Sequence, residues 1–219
     1  MSLIPLFPLS NALFPAGVLH LRIFEVRYLD MIRRCIADGS EFGVVGLLSG
    51  NEVRTPEGVE TLAPVGTMAR IDAWDAPMPA LLELRCVGTS RFRLLSSEVA
   101  KYGLWMGQAE PIPDDPPAPV PEAMQPSADA LGRLVAQWQQ DGVPAERMPL
   151  GPPFRLDDCG WVADRWCELL PLPPDDKARL LAMTDPVDRL AAGQDVLRGA
   201  GGGEWVWQGA RVTRWAVFT

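Results

Sequence analysis

Four cysteines, one histidine and three pairs of adjacent acids are the residues in this chain with the plainest capacity for chemistry. A thiol nucleophile needs a base and a group that orients the base. Cys35, Cys86, Cys159 and Cys167 are widely spaced inside apolar patterns, with no C-x-x-C pair of the kind that holds zinc or cycles between thiol and disulfide. They are expected to be buried, reduced thiols. His20 alternates with Leu19 and Leu21 and is expected to face solvent, so it is not a base for any of them. Asp114-Asp115, Asp157-Asp158 and Asp175-Asp176 stand at a loop or at helix starts, where capping explains acids without a metal. The sequence therefore assigns no catalytic residue, no metal ligand and no cofactor.

Charged and aromatic residues at changes of rhythm are the better candidates for binding. In "LRIFEVRYLDMIRRCI" a two-residue period gives way to a three-and-four period at Glu25, Arg27 and Tyr28. An acid there suits the start of a helix dipole. The acid and the arginine together suit a corner that fastens a helix to a sheet, with ligand binding as the alternative role. Arg91-Phe92 repeats the pattern of a cation beside an aromatic on a strand. Phe14, Trp74, Met78, Trp105, Trp205 and Trp207 lie in or beside expected loops, and eight tryptophans in 219 residues allow an exposed apolar patch. The candidate binding set is Phe14, Glu25, Arg27, Tyr28, Trp74, Arg91 and Phe92.

These residues sit in an α+β pattern. Residues 1–110 read as five to seven short strands with one helix, a curved or barrel-like antiparallel sheet. The opening "LIPLFPLSNALFPAGVLHLRI", broken by prolines, reads as two edge-like strands around a turn. Residues 111–126 hold seven prolines in sixteen positions and read as an extended connector, the first place a protease should cut. Residues 127–198 read as a small bundle of four helices, opened by Asp157-Asp158, Pro174-Asp175-Asp176 and Asp185-Pro186 after the first. Residues 199–219 form a Gly/Trp-rich tail, expected to pack on the protein itself.

A net charge of −8 disfavours nucleic acid as a partner. No apolar run approaches the roughly 20 residues needed to span a bilayer, so the expectation is a soluble cytoplasmic protein.

The opening also resembles a known family. Pro5-Leu6-Phe7-Pro8-Leu9, Phe14-Pro15 and Phe24-Glu25-x-Arg27-Tyr28 match, in order and spacing, the N-terminal substrate-binding domain of Lon proteases, a mainly bacterial family. "FGVVGL", "PVGTMARI", "GTSRFRLL" and "LPLPPDDKARLLAMTDPVDRLAAGQDVL" extend the likeness over about residues 3–198. Between Ile71 and Leu82 the chain departs, with prolines where the family commonly has an Asp-Gly hairpin turn. It also lacks a G-x-x-x-x-G-K-[ST] loop and the family's Ser-Lys protease domain. The resemblance implies a PUA-like β pseudo-barrel followed by a small helical bundle, in a stand-alone homologue. It implies a non-enzymatic, ATP-independent module that binds polypeptide clients or a protease or chaperone partner, as an adaptor in protein quality control. Homo-oligomerisation stays open. A small-molecule-binding module and a hydrolase with an unrecognised site are the alternatives.

Overall fold

The structure, a computed structural model, describes residues 2–50, 60–144 and 147–199. The Gly/Trp-rich tail expected at residues 199–219, with Trp205 and Trp207, lies beyond Gly199 and so outside the described residues. In chain order the elements are β1 (Ser2–Leu9), β2 (Val18–Ile23), α1 (Val26–Asp38), β3 (Phe42–Ser49), β4 (Thr61–Met78), β5 (Leu81–Val99), β6 (Trp105–Pro111), α2 (Gln125–Gln140), α3 (Cys159–Leu169), α4 (Pro174–Ala182) and α5 (Pro186–Gly199).

Two long strands organise the sheet. β5 spans 19 residues, and it merges the segments "ALLELRCVG" and "RFRLLS" that read as separate strands. Its first half pairs with β2, its second half pairs with β6, and β4 runs along most of its other edge. The sheet order is β2-β5-β4-β3-β1-β6, and the additional β5–β6 pairing joins five of these strands into a ring with β2 outside it. Closure satisfies strand edges that an open sheet leaves exposed.

β1 corrects one expectation. It lies inside the sheet, parallel to β3 and antiparallel to β6, although Pro5 and Pro8 argue for an edge. Its pairing is staggered: Ser2 to Leu6 meet β6, whereas Leu6 to Leu9 meet β3. Each proline therefore has a strand on one side only, where a missing N–H is tolerated. Ile4 and Leu6 enter one core, and Phe7 and Leu9 enter another.

The first core joins the inner residues of β2, β3 and β5 to Tyr28, Leu29, Ile32 and Cys35 of α1. α1 ends as its sequence requires, at Gly39 in the left-handed region with φ 64°. The second core joins Ile4, Leu6, Val45, Val65 and Phe92 to Leu180 and Leu181 of α4, and so seats the helices against the barrel. Gly66 makes room for it: a Cβ there would lie 2.5 Å from the Phe92 ring and 2.4 Å from the Val44 carbonyl. The third core, around Leu131, Val135, Trp138, Trp161 and Leu190, holds the helices together. Asp158 caps α3 by accepting from the Gly160 and Trp161 amides, and Asp185 caps α5 through Val187 and Asp188.

The proline segment is extended, as its composition requires, but both halves of the protein hold it. The Ile112 amide donates to the Arg91 carbonyl at 2.9 Å, and the Val120 amide donates to Asp157 at 3.2 Å. The Cys159 amide donates to Ala118 at 2.9 Å, and the Ile112 side chain is buried.

Candidate functional site

The strand-to-helix corner is built as a clasp. Glu25 occupies the N-cap of α1, yet its carboxylate makes no cap hydrogen bond. The acid thus stands at the helix start, as expected, but serves it without a cap hydrogen bond. The carboxylate instead accepts from Arg27 Nε at 3.0 Å, with Nη2 at 2.9 Å. The buried guanidinium stacks 4.5 Å from the Tyr28 ring and donates through Nη1 to the Gly103 carbonyl at 3.0 Å. Arg27 therefore ties the start of α1 to the 3-10 turn Lys101–Gly103 that precedes β6. Beside the clasp, Phe7, Pro8, Arg22, Ile23, Phe24, Glu25 and Tyr28 line a shallow groove with room for about one water. That space does not suit a metabolite. Val26 and Tyr102, each next to a clasped residue, are 68% and 72% exposed.

Arg91 has a different surrounding. It is buried where β5 meets the helices, and its Nη2 donates to Asp115 at 2.6 Å and to the Pro113 carbonyl at 3.0 Å. Its Nη1 donates to Leu181 at 3.1 Å. Arg189 of α5 grips the same Asp115 at 2.5 and 2.8 Å and also meets Asp164 at 2.8 Å. Three segments are thereby locked through one carboxylate. The expectation that capping explains Asp114-Asp115 is corrected, because Asp115 is the hub of a buried ion network. Nothing in the local sequence signals this, since the partners stand 24 and 74 residues away.

Phe14 and Phe92 are both core residues. Phe14 is 0% exposed, so its expected place on an open loop is corrected. Its amide donates to Glu168 at 3.0 Å, while Arg165 pairs with Glu168 at 2.8 Å and donates to the Pro15 carbonyl. Burial pushes the Glu168 carboxyl up to about 7 despite that guanidinium, and pushes Asp164 up to about 6 despite Arg189. Lys177, also buried, donates to Asn11 at 2.6 Å. Trp105 is half-buried and donates to Glu60 at 2.5 Å.

The thiols are inert. All four cysteines are buried and free, and burial raises Cys159 to about 11 and Cys86 and Cys167 to about 12. His20 is half-buried rather than solvent-facing, and burial followed by the charge of Arg85 lowers its pKa. Among the described residues no three His, Cys, Asp or Glu side chains group as a metal site, and no helix is long and apolar enough to cross a membrane.

Trp74 lies within β4, paired opposite Leu84, so its expected place in a loop is corrected, although its side chain is open to solvent. It is 53% exposed and Met78 is 58% exposed, on the end of the β4–β5 hairpin. The hairpin continues through the segment where the prolines put its course in question. Register shifts fall between Ile71 and Ala73 and between Asp75 and Met78, the second containing Pro77. Arg33 of α1 steadies the turn by donating to the Pro79 carbonyl at 3.0 Å. Of the seven candidates, Glu25, Arg27 and Tyr28 come together, Arg91 and Phe92 lie at the helix seam, Phe14 lies in the core, and Trp74 stands apart on the surface.

The fold defines a mixed α/β class, a six-strand sheet carrying five helices. Comparison narrows it. The family model of the ATP-dependent protease La (LON) substrate-binding domain matches residues 3–198. The crystal structure of a Lon N-terminal domain protein from Xanthomonas campestris is 31% identical, with a TM-score of 0.67 over 90% of this chain and 98% of that one. The N-terminal domain of the Mycobacterium avium complex Lon protease shares the fold at 15% identity, with a TM-score of 0.55 over 89% of this chain and 97% of that one. Comparison with curated proteins returned no match. The chain belongs to the Lon substrate-binding domain family.

Proposed function

We propose that the protein is a non-enzymatic module that recognises exposed apolar segments of unfolded polypeptide and serves as an adaptor in cytoplasmic protein quality control. In this reading residues 1–110 are the recognition unit, residues 111–126 the connector and residues 127–198 its helical companion. The observation that carries the reading is the hairpin end of β4, where Trp74 and Met78 stand open to solvent beside a family-defining substrate-binding fold. Exposed large apolar side chains of this sort mark protein-binding surfaces. The non-enzymatic part is supported by the state of the chemistry-bearing residues: the thiols are buried with raised pKa values, and the Arg91 and Arg189 guanidiniums are occupied by Asp115 and Asp164.

The test is a titration with a permanently unfolded protein, reduced and carboxymethylated. Binding at micromolar strength, about −8 kcal/mol, is expected, and it should persist at high salt because apolar contacts are not screened. Trp74→Ser should weaken it with no change in the circular-dichroism melt. Absence of binding to any unfolded chain would overturn the reading, and so would hydrolysis of ATP or of a peptide by the purified protein.

A further inference from the structure

β4 changes partners at its midpoint. Thr61 and Leu62 pair with β3 alone, Gly66 to Ala69 lie between β3 and β5, and from Arg70 onward the strand is paired on the β5 side alone. Residues 72 to 80 are all exposed, and no other strand among the described residues meets this edge. Besides the outer edge of β2, the described strands therefore leave a ladder open from Arg70 to Ala76 of β4, before Pro77, which has no N–H, ends it. Such an edge accepts one kind of occupant, a chain in extended conformation that supplies the missing backbone partners.

The side chains along the edge narrow the occupant further. Trp74 stands opposite Leu84, whose side chain enters the core under α1, so Trp74 lies on that apolar face. Asp75 points to the other face, opposite Glu83. Glu83 is engaged by Arg22 at 3.2 Å, and no ion pair engages Asp75 among the described residues. Two acids facing each other across a ladder repel, and a cation beside Asp75 relieves this. Asp72 offers no second demand, because Arg85 already pairs with it.

We propose that an extended polypeptide segment, apolar at alternate positions and carrying lysine or arginine between them, adds to the Arg70–Ala76 edge of β4 as a further strand. This deepens the proposed polypeptide recognition and rests on it. Backbone bonds give the affinity, Trp74 packs on the apolar residues, and Asp75 takes the basic one. A client is then chosen by extension and alternation rather than by a particular sequence, as suits a module that meets many unfolded chains.

The experiment uses the full chain and a fluorescent octapeptide of alternating valine and lysine, followed by anisotropy. Two N-methylated forms block alternate amides in the two registers. One form should bind roughly tenfold more weakly and the other nearly as well as the parent, since only one set of amides faces the edge. A valine–glutamate peptide should bind about threefold more weakly than the lysine peptide, and Asp75→Lys should reverse that order, a swap that mere destabilisation does not produce. Equal binding of the parent and both N-methylated forms, with the unfolded protein still bound, would overturn strand addition and leave side-chain recognition standing. Self-association in sedimentation that Trp74→Ser abolishes, with no peptide bound, would assign the edge to a second copy of the chain and also overturn the proposal. Failure to bind both the peptide and the unfolded protein would remove the underlying reading itself.

Discussion

Arg27 and Glu168 carry the sharpest expectations at the scale of single residues. Arg27→Ala removes the contacts to Glu25 and to the Gly103 carbonyl together. It should lower stability by about 1 to 3 kcal/mol in urea unfolding, with binding of unfolded chains retained. Loss of binding at full stability would make the corner a recognition site instead. Glu168 gives a pH signature. Its folded-state value is raised from 4.5 to about 7, so the folded protein holds this proton more tightly than the unfolded chain does. The resulting stability is complete below pH 4.5 and lost as pH rises through about 7. Asp164 adds the same trend between 3.8 and about 6. Melting temperatures of Glu168→Gln should therefore fall less steeply than those of the wild type from about pH 5 to about pH 7. The corner was legible because its parts lie within four positions of one another, where a change of period and a nearby charge pair are visible together. The Glu168 and Asp115 sites were not legible. Their partners come from remote segments, and a lone acid in a loop reads as a cap.

For the elements, the proline segment and β1 separate what composition dictates from what packing decides. Prolines fix an extended backbone, and the segment is extended, but they say nothing about whether it is tethered. Asp115, gripped by Arg91 and Arg189, makes it a strap. Asp115→Ala leaves the buried Arg91 without its carboxylate and Arg189 with Asp164 alone, and should cost about 3 to 5 kcal/mol. Limited proteolysis of the wild type should spare residues 111–126 at first and attack them early in that variant, as followed by mass spectrometry. Helix ends are set by local residues and so show in the sequence: Asp158 and Asp185 cap α3 and α5, and Gly142, at φ 70°, lies just past the end of α2. Strand neighbours do not show in this way, because alternation reveals a face but not a partner. β1 thus read as an edge when its staggered pairing places it inside the sheet.

On the scale of the whole molecule, the second core and the Asp115 network cross between barrel and helices. Barrel and helices are therefore expected to unfold in one transition, with tryptophan fluorescence, which samples Trp138, Trp161 and Trp166 in the helical core, coinciding with far-ultraviolet circular dichroism during urea unfolding. Two separated transitions would show that the cross-links are weak. The position of β1 also carries a meaning in time. β1 is synthesised well before its antiparallel partner β6, which begins only at Trp105. At about 5 to 20 residues per second, the ring cannot close until roughly 5 to 20 seconds after β1 has been synthesised. Until then the nascent chain holds an unclosed sheet with its apolar strands open. During its own synthesis, a protein proposed to recognise unfolded chains thus presents the kind of surface that such a module would bind.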